Sequence, residues 1–326
     1  MSKQWTAADI PSLSGKRVLI TGANSGIGYR AALKLGRKGA RVMLACRDRS
    51  RGEAALRRMQ ADSDGIEAEV VLLDLASLAS IREFAVQELA LHRPLDLLIN
   101  NAGVMAPPKR LETADGFELQ FGTNVLGNFA LTALLMPALQ LAADSSGRRP
   151  RIVTVASIAH KRGHLNFDDL QSTRSYSPMK AYQQSKLADL MFAFELDRRL
   201  RAANSPIMSL AVHPGVANTN LFQTGDHSRL ENAVRSGVGH AIGLFLNSDA
   251  EGALPTLYAA TAADALDGAY YGPQGFQEMR GEEVGLARVA PQAQDETAAA
   301  RLWQVCEELT GIRFRSRDYP SPWTTS

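Results

Sequence analysis

The stretch "TGANSGIG", Thr21 to Gly28, follows the short aliphatic run "KRVLI" and precedes a segment with helical spacing. A strand, a glycine-rich loop and a helix in this order are the context in which such a motif binds phosphate. Gly22 allows a tight turn, Gly26 the close approach of a diphosphate, and Gly28 close packing of helix on strand. The stretch therefore predicts a phosphate site at a helix amino terminus. A glycine-rich turn without a ligand is the alternative.

Short apolar runs alternate with helical segments along most of the chain. The runs are "RVLIT", "RVMLAC", "EVVLLD", "LDLLIN", "RIVTVAS" and "IMSLAVH", and the helical segments are roughly 26–38, 50–61, 77–92, 116–141 and 181–203. This alternation predicts a three-layer α/β fold, a Rossmann-like doubly wound parallel sheet of about seven strands with helices on both faces. "GAYYGP" near Tyr270 is a candidate final strand at the sheet edge.

The domain organisation follows from the same series, which no linker or repeat divides. We expect a lead-in over 1–15, one catalytic dinucleotide-binding domain over 16–290, and a carboxyl-terminal helix and tail over 291–326. The segment from Val216 to Asn247 is the least regular. Because ligands of this fold bind outside the carboxyl ends of the strands, we expect this segment to cover the substrate.

Composition excludes several classes of protein. The 326 residues are 45% hydrophobic with a formal net charge of +2, so we expect a globular protein without a charged-polymer partner. The basic cluster at Arg148, Arg149 and Arg151 lacks aromatic partners and predicts a solvated loop, not a nucleic-acid site. Cys46 and Cys306 form no disulfide framework. Without an uninterrupted apolar run of about 18 residues we expect no transmembrane segment and a cytoplasmic location.

The glycine spacing of the opening stretch, Gly-x-x-x-Gly-x-Gly, resembles the classical branch of the short-chain dehydrogenase/reductase family. The extended, epimerase-like branch has a different spacing, which disfavours a sugar epimerase or dehydratase. "INNAG", ending at Gly103, and "HPGVANTNL", starting at His213, also resemble family motifs. The resemblance implies the fold predicted above and an NAD(P)-dependent oxidoreductase.

The second strand bears on the choice of dinucleotide. An NAD site usually carries an acid at the end of this strand, where "RVMLACRD" has Cys46 followed by Arg47. A guanidinium can hold a 2′-phosphate bidentately, so we expect NADP(H). The neighbouring Asp48 leaves NAD(H) as an alternative.

The remaining cofactor contacts are implied by the resemblance. Asp74 and Leu75 match the pair of residues that contacts adenine in the family. The backbone from Asn101 to Gly103 would lie close to the cofactor ribose, and Thr219 would hydrogen-bond to the nicotinamide carboxamide. The full predicted set is Gly22, Asn24, Ser25, Gly26, Ile27, Gly28, Arg47, Asp74, Leu75, Asn101, Ala102, Gly103, Tyr182, Lys186, Pro214, Gly215 and Thr219.

The segment "AYQQSKLA" carries the predicted chemistry. Tyr182 and Lys186 lie four residues apart, so their side chains share one helix face. An ammonium group favours a neighbouring phenolate and lowers the pKa of the phenol, which makes a tyrosine a usable general acid or base. The alternative is that a Tyr and a Lys occur at this spacing by chance on a solvated helix. Catalysis is favoured because Ser157, at the end of "RIVTVAS", lies at the same edge of the predicted sheet as the glycine loop.

The resemblance joins these residues into a catalytic set. It implies that Ser157 and Tyr182 contact the substrate oxygen, and that Lys186 also holds the nicotinamide ribose. It further implies that Asn124, in "GTNVLGNF", helps to hold a water linked to Lys186. His160 and His164 lie in the long spacer between Ser157 and Tyr182, and we expect both to be exposed loop residues. We expect no metal.

Several stretches, among them "LACRD", "ASIAH" and "HPGVANT", resemble the retinol-dehydrogenase-like branch of the family. This implies hydride transfer between NADP(H) and an apolar alcohol, aldehyde or ketone, although we expect no membrane anchor and leave the substrate open. A catalytically silent dinucleotide-sensing regulator is the alternative, but such proteins usually lose the Tyr and Lys. Pairing into a homodimer or homotetramer through the long helices that hold Asn124 and Tyr182 is implied, unless the carboxyl-terminal helix covers that surface.

Overall fold

A computed structural model describes residues 4–145, 148–216 and 247–314. One sheet runs through this part of the chain, with eight strands in the order β3-β2-β1-β4-β5-β6-β7-β8. The strands are β1 (Arg17–Thr21), β2 (Arg41–Cys46), β3 (Ala68–Leu72), β4 (Leu97–Asn100), β5 (Arg151–Val155), β6 (Met208–Val212), β7 (Tyr270–Pro273) and β8 (Val284–Leu286). The predicted doubly wound α/β fold is confirmed.

Strands β1 to β7 are parallel, and β8 pairs with β7 in the antiparallel direction. The predicted strand near Tyr270 is therefore present, but β8 and not β7 forms this edge of the sheet. β8 has only three residues, "VGL", and lacks the apolar run by which a buried strand is recognised in a sequence.

Six of the eight α-helices in the described residues lie close to predicted segments, whereas the two between residues 249 and 261 were not predicted. The helices are α1 (Gly26–Arg37), α2 (Arg49–Asp62), α3 (Leu78–Ala90), α4 (Asn128–Ala143), α5 (Pro178–Ala202), α6 (Asp249–Gly252), α7 (Leu254–Thr261) and α8 (Glu296–Thr310). The helix predicted to begin near residue 116 begins later, with a π-helical segment at Phe121–Gly127 that continues into α4. α8 begins after the capping carboxylate of Asp295 and ends at Gly311, where φ is +62°.

Both faces of the sheet are covered. On one face, α3, α4, α5 and α8 enclose a core that contains Phe121, Phe129 and Trp303. On the other face, α1, α2 and α7 pack against the alternate residues of the same strands. The strand order reverses between β1 and β4, whose carboxyl ends form the crevice where ligands bind in folds of this kind.

One helical stretch of the described chain, Phe121–Ala143, is long and apolar enough to cross a membrane, with a mean hydropathy of 1.6. Buried residues make up 78% of its apolar window. A core helix of a globular protein has the same properties, so the stretch is weak evidence of a membrane span.

The basic cluster ties elements together and is not simply a solvated loop. Arg148 pairs with Asp96, and Arg149 pairs with Asp267. Arg151 lies on β5 and donates to the carbonyl oxygens of Ala259 and Ala262 at the end of α7. The prediction of a solvated loop is wrong for Arg151, because α7 brings its unpaired carbonyl groups to this strand.

Candidate active site

The glycine loop lies between β1 and α1, as predicted. Gly22 and Gly26 have φ values of +66° and +57°, which favour glycine. At Gly28 a Cβ atom would lie 2.7 Å from the carbonyl oxygen of Gly22 and 2.5 Å from Nδ2 of Asn101. The backbone of α1 therefore packs so closely against the loop that position 28 accepts no side chain.

The amino terminus of α1 faces the same loop. Ser25 occupies the N-cap position, but its side chain makes no capping hydrogen bond. The N–H groups of the first turn of a helix have no partner within the helix, and together with the helix dipole they favour an anion. The loop and helix end therefore fit the diphosphate of a dinucleotide.

Thr21 holds the glycine loop against the segment after β4. Its hydroxyl accepts hydrogen bonds from the backbone N–H groups of Asn101 and Ala102, each at 2.9 Å. Nδ2 of Asn101 donates to the carbonyl oxygen of Thr21 at 2.7 Å. The side chain of Asn101 thus binds the loop through its amide group. Sequence reasoning placed Thr21 in the motif without a role, although its position before the first glycine was the available signal.

The end of β2 and the following helix α2 present cationic side chains to the crevice. Arg47, Arg51 and Arg58 all line it. Asp48 caps α2 instead, accepting hydrogen bonds from the hydroxyl of Ser50 at 2.9 Å and from the backbone N–H of Arg51 at 3.0 Å. These bonds, the one from Arg51 first, lower the pKa of Asp48. Both bonds use Oδ1, which caps the helix end, and Asp48 also lines the crevice.

Tyr182 and Lys186 lie on one face of α5, and both line the crevice together with Ser157. The ammonium of Lys186 donates to the carbonyl oxygen of Val155 at 2.9 Å and to Oδ2 of Asp189 at 2.8 Å. Burial lowers the pKa of Lys186, but the charge and hydrogen bond of Asp189 together with the Tyr182 phenol raise it. The lysine is therefore charged at neutral pH.

Asn124 lies in the π-helical segment and is fully buried. Its Oδ1 accepts from the backbone N–H of Val104 at 2.8 Å, and its Nδ2 donates to the carbonyl oxygen of Val104 and to the hydroxyl of Ser185. A Cβ atom on Gly103 would lie 3.2 Å from Oδ1 of Asn124 and 3.6 Å from the nitrogen of Lys186. Asn124 thus fixes the loop after β4 beside the lysine.

Pro214 and Gly215 turn the chain after β6, and Gly215 has a φ of +73°. Nδ2 of Asn247 donates to the carbonyl oxygen of Pro214 at 2.9 Å, and the N–H of Val216 donates to the carbonyl oxygen of Met279 at 2.8 Å. Thr219 and the interior of the predicted substrate cover lie outside the described residues.

These groups line a single open cleft of about 1380 Å³. The residues of the predicted site that line it are Gly22, Asn24, Ser25, Gly26, Ile27, Gly28, Arg47, Asp74, Leu75, Asn101, Ala102, Gly103, Ser157, Tyr182, Lys186, Pro214 and Gly215. Within the described ranges, no group of three or more His, Cys, Asp and Glu is arranged to hold a metal ion.

The chain is similar to known proteins over most of its length. The model of the short chain dehydrogenase family matches residues 16–229 of this chain. The chain belongs to the short-chain dehydrogenase family. It is therefore an oxidoreductase, as the sequence predicted.

Relatives in the family match the chain over most of its length. Retinol dehydrogenase 13 of Homo sapiens is 41% identical over 317 residues, which cover 95% of this chain and 89% of the relative. Polyprenol dehydrogenase of Mus musculus is 41% identical over 304 residues, covering 93% and 86%. The crystal structure of an uncharacterized protein from Mycobacterium paratuberculosis has a TM-score of 0.76 and 41% identity, covering 96% of this chain and 100% of that one. The resemblance to retinol dehydrogenases is confirmed.

The prediction that His160 is an exposed loop residue is wrong. His160 is fully buried, whereas His164 is exposed as expected. Nδ1 of His160 lies 2.7 Å from the carbonyl oxygen of Ser157, and its Nε2 accepts from the N–H of Ala290 at 3.2 Å. This pattern fixes the neutral ring with its proton on Nδ1, and burial lowers the pKa of His160. Sequence spacing could not reveal a partner 130 residues away.

His160 also supports the residue that the family resemblance assigns to the substrate. Ser157 begins the short helical turn Ile158–Arg162, and its hydroxyl accepts from the N–H of Ala159 at 3.1 Å. Gln292 donates from its side chain to the carbonyl oxygens of His160, Lys161 and Gly163. The turn that carries Ser157 is therefore held by the segment before α8.

Proposed function

We propose that this short-chain dehydrogenase transfers hydride reversibly between NADP(H) and an alcohol or carbonyl carbon of an apolar substrate. The observation that carries the proposal is the shared cleft, in which the phosphate-binding loop and the Ser157–Tyr182–Lys186 group face the same space. A binding protein needs only the first of these sets. Their coexistence favours catalysis over cofactor sensing.

The residues that line the cleft would suit an NAD(P) cofactor. The glycine loop and the free N–H groups of α1 would hold the diphosphate, Asp74 and Leu75 the adenine, and Lys186 the nicotinamide ribose. When bound, the nicotinamide supplies or accepts the hydride. The protein's part is to orient the reactants and to move a proton.

The end of β2 supports a preference for NADP(H). A 2′-phosphate adds negative charge where Arg47, Arg51 and Arg58 line the cleft. Guanidinium groups bind phosphate through two parallel hydrogen bonds. The acid that would suit NAD(H), Asp48, also lines the cleft, but its Oδ1 caps the amino terminus of α2. Charge and hydrogen bonding therefore favour the phosphorylated cofactor.

The proposed proton transfer uses Tyr182. In the reducing direction, its hydroxyl and that of Ser157 donate hydrogen bonds to the carbonyl oxygen, and Tyr182 then gives up its proton to the new alkoxide. The ammonium of Lys186, charged and buried, stabilises the phenolate that forms. Asn124 keeps the loop beside Lys186 in place, and the water that it would hold remains part of the proposal.

Two observations support an apolar substrate. The cleft is lined by the apolar side chains of Val104, Met105, Ile158, Met179, Val216 and Met279. The relatives named for retinol and polyprenol carry names of long apolar alcohols. We therefore propose that the substrate is an apolar alcohol or its carbonyl counterpart.

We further propose that the protein acts in the cytoplasm. Cys46 and Cys306 are both free and buried, which suits a reducing compartment. Cell fractionation with an antibody against the protein would test this location, and recovery of the protein in the membrane fraction would contradict it.

A parallel activity screen tests the proposed function. Purified protein would be assayed with NADPH and NADH against retinoids, steroids, quinones and aliphatic aldehydes, following cofactor absorbance. We expect oxidation of NADPH with at least one apolar carbonyl compound, and much slower oxidation of NADH. Tight NADPH binding without turnover on any compound would favour a sensing protein, and a preference for NADH would overturn the interpretation of Arg47.

A further inference from the structure

A second buried charge lies next to Lys186, and the proposed proton transfer gives it no role. Asp189 follows on the next turn of α5, and its side chain is 2% exposed, against 6% for Lys186. Oδ2 of Asp189 lies 2.8 Å from the lysine nitrogen. The two residues form a buried ion pair, of which Lys186 lines the cleft.

The hydrogen bonding of Asp189 is unusual for a buried carboxylate. Its second oxygen, Oδ1, has no hydrogen-bond partner in the ranges that the structure describes. Buried carboxylates normally engage both oxygens, because each unpaired oxygen keeps a desolvation cost. Among the described residues, the side-chain hydrogen bond of Asp189 is therefore the one to Lys186, and the carboxylate neither caps a helix nor bonds to a loop.

Several other titratable groups lie near the pair and the Tyr182 phenol, among them the buried Tyr270 of β7, which interacts electrostatically with Tyr182. Tyr182 lies one turn before Lys186 on α5, and the phenol interacts electrostatically with the lysine. From α8, Cys306 faces Asp189, and burial followed by the Asp189 charge raises the pKa of its thiol, which stays neutral. The other contacts are the carbonyl of Val155 on β5 and, around Asn124, neutral amide and hydroxyl groups.

The pair has a consequence for the charge of Lys186. A buried ammonium without a counter-ion loses its proton more readily, since burial disfavours the charged form. At Lys186 the charge and hydrogen bond of Asp189, with a further contribution from Tyr182, oppose this effect of burial. Burial raises the pKa of Asp189 to about 6 in spite of the lysine, so the carboxylate is ionised at neutral pH. Its influence reaches the phenol through the lysine, which lies between them on the helix.

We propose that Asp189 is a positioning residue that keeps Lys186 charged and in place at neutral and alkaline pH. It thereby maintains the positive charge that the proposed proton transfer at Tyr182 uses. This inference rests on the proposed function of Tyr182 and Lys186, but it concerns a residue to which neither the motif nor the mechanism gives a role.

The test is a spectrophotometric pH titration of tyrosinate absorbance in the full chain. The sequence has seven tyrosines, so each protein is titrated beside the same protein with Tyr182→Phe, and the difference isolates Tyr182. Asp189→Asn removes the charge while the carboxamide oxygen still accepts from Lys186. Removing the Asp189 charge alone would favour the phenolate, but without its counter-ion the buried Lys186 should lose its proton. The phenol then lacks a neighbouring cation, and we expect Tyr182 to ionise at a pH about one unit or more higher in Asp189→Asn than in the wild type. An unchanged titration, or a shift to lower pH, would overturn the inference.

Two further variants make the test specific. Glu195→Gln removes a buried carboxylate on the same helix that pairs with Arg198 and Arg199, and it should leave the Tyr182 titration unchanged. If it shifts the titration as much as Asp189→Asn does, the specific role of Asp189 is wrong. Asp189→Glu keeps the carboxylate and should titrate within about half a unit of the wild type. Asp189→Glu is the variant used if Asp189→Asn does not fold. A Tyr182 titration that differs from the wild type by more than about half a unit in Asp189→Glu overturns the inference.

The titration needs neither substrate nor cofactor, so its outcome is separate from that of the activity screen. Where a substrate is found, the acid limb of log kcat/KM for alcohol oxidation should move to higher pH in Asp189→Asn. A lack of turnover would contradict the proposed function, but the titration could still be interpreted. An unchanged Tyr182 titration with normal turnover would contradict only the role of Asp189.

Discussion

Tyr182 and Lys186 lie where the helical period places them, on one face of α5 and in the cleft. Residue type and spacing also placed Ser157 at the correct edge of the sheet. The partners of individual polar atoms could not be predicted in the same way. Asn101 bonds to Thr21, 80 positions away, and His160 bonds to Ala290, 130 positions away. Such contacts arise from tertiary packing and leave no periodic trace in a sequence.

The predicted preference for NADP(H) can be tested at Arg47. Arg47→Ala removes an exposed guanidinium from the adenine end of the cleft. Losing a charge-assisted hydrogen bond to phosphate costs about 1.5–3 kcal/mol, so we expect KM for NADPH to rise about 10- to 100-fold. KM for NADH should change less than about threefold. Steady-state kinetics with both cofactors measure the ratio.

Arg49→Ala is the matched control for this substitution. Arg49 opens α2 two residues later, but in the described part of the chain it does not line the cleft. Its removal should leave both KM values close to those of the wild type. Equal effects of the two substitutions would show that Arg47 acts only through the general positive charge of the loop.

Elements with a clear apolar period were predicted well, and those without one were not. β1 to β6 and helices α1 to α3 differ from their predicted bounds by few residues. The π-helical segment Phe121–Gly127 and strand β8 were missed. A π-helical bulge is specified by how its side chains pack, here Asn124 against Val104, and a three-residue edge strand is specified by its partner.

The junction of β1 and α1 yields a prediction for Gly28. In Gly28→Ala the added Cβ would lie 2.7 Å from a backbone oxygen of Gly22, so the loop or the helix must move. Overpacking of this kind costs about 1–3 kcal/mol, and we expect NADPH affinity to fall by at least about tenfold. Isothermal calorimetry gives the affinity and thermal unfolding the stability. A variant with wild-type affinity would contradict the proposed diphosphate site.

Across the whole molecule, the carboxyl-terminal helix completes one face of the fold. Trp303 of α8 is 2% exposed and packs against Phe129 of α4, Phe192 of α5 and Phe314. The helix was predicted from its own sequence, and the structure adds that it covers α5. This is one of the helices through which the family resemblance implied subunit pairing. Length and composition alone could not specify that packing.

Trp303→Ala should therefore destabilise the fold as a core substitution does. Removing a buried tryptophan costs about 3–5 kcal/mol of the free energy of unfolding. Urea unfolding followed by circular dichroism measures the loss. Val86→Ala on α3, where the side chain is 68% exposed, is the control and should change stability by less than about 0.5 kcal/mol. A loss below about 1 kcal/mol at Trp303 would mean that α8 contributes little to the core.

Tyr182→Phe tests the central claim most directly. The substitution removes one hydroxyl from a buried side chain that lines the cleft, and leaves the glycine loop and Lys186 in place. Turnover of NADPH with the best carbonyl substrate would be measured beside NADPH affinity, determined by fluorescence. We predict that kcat falls by about 10²–10⁴-fold while the dissociation constant for NADPH changes by less than about threefold. Turnover close to that of the wild type would contradict the assignment of Tyr182 as the general acid and base.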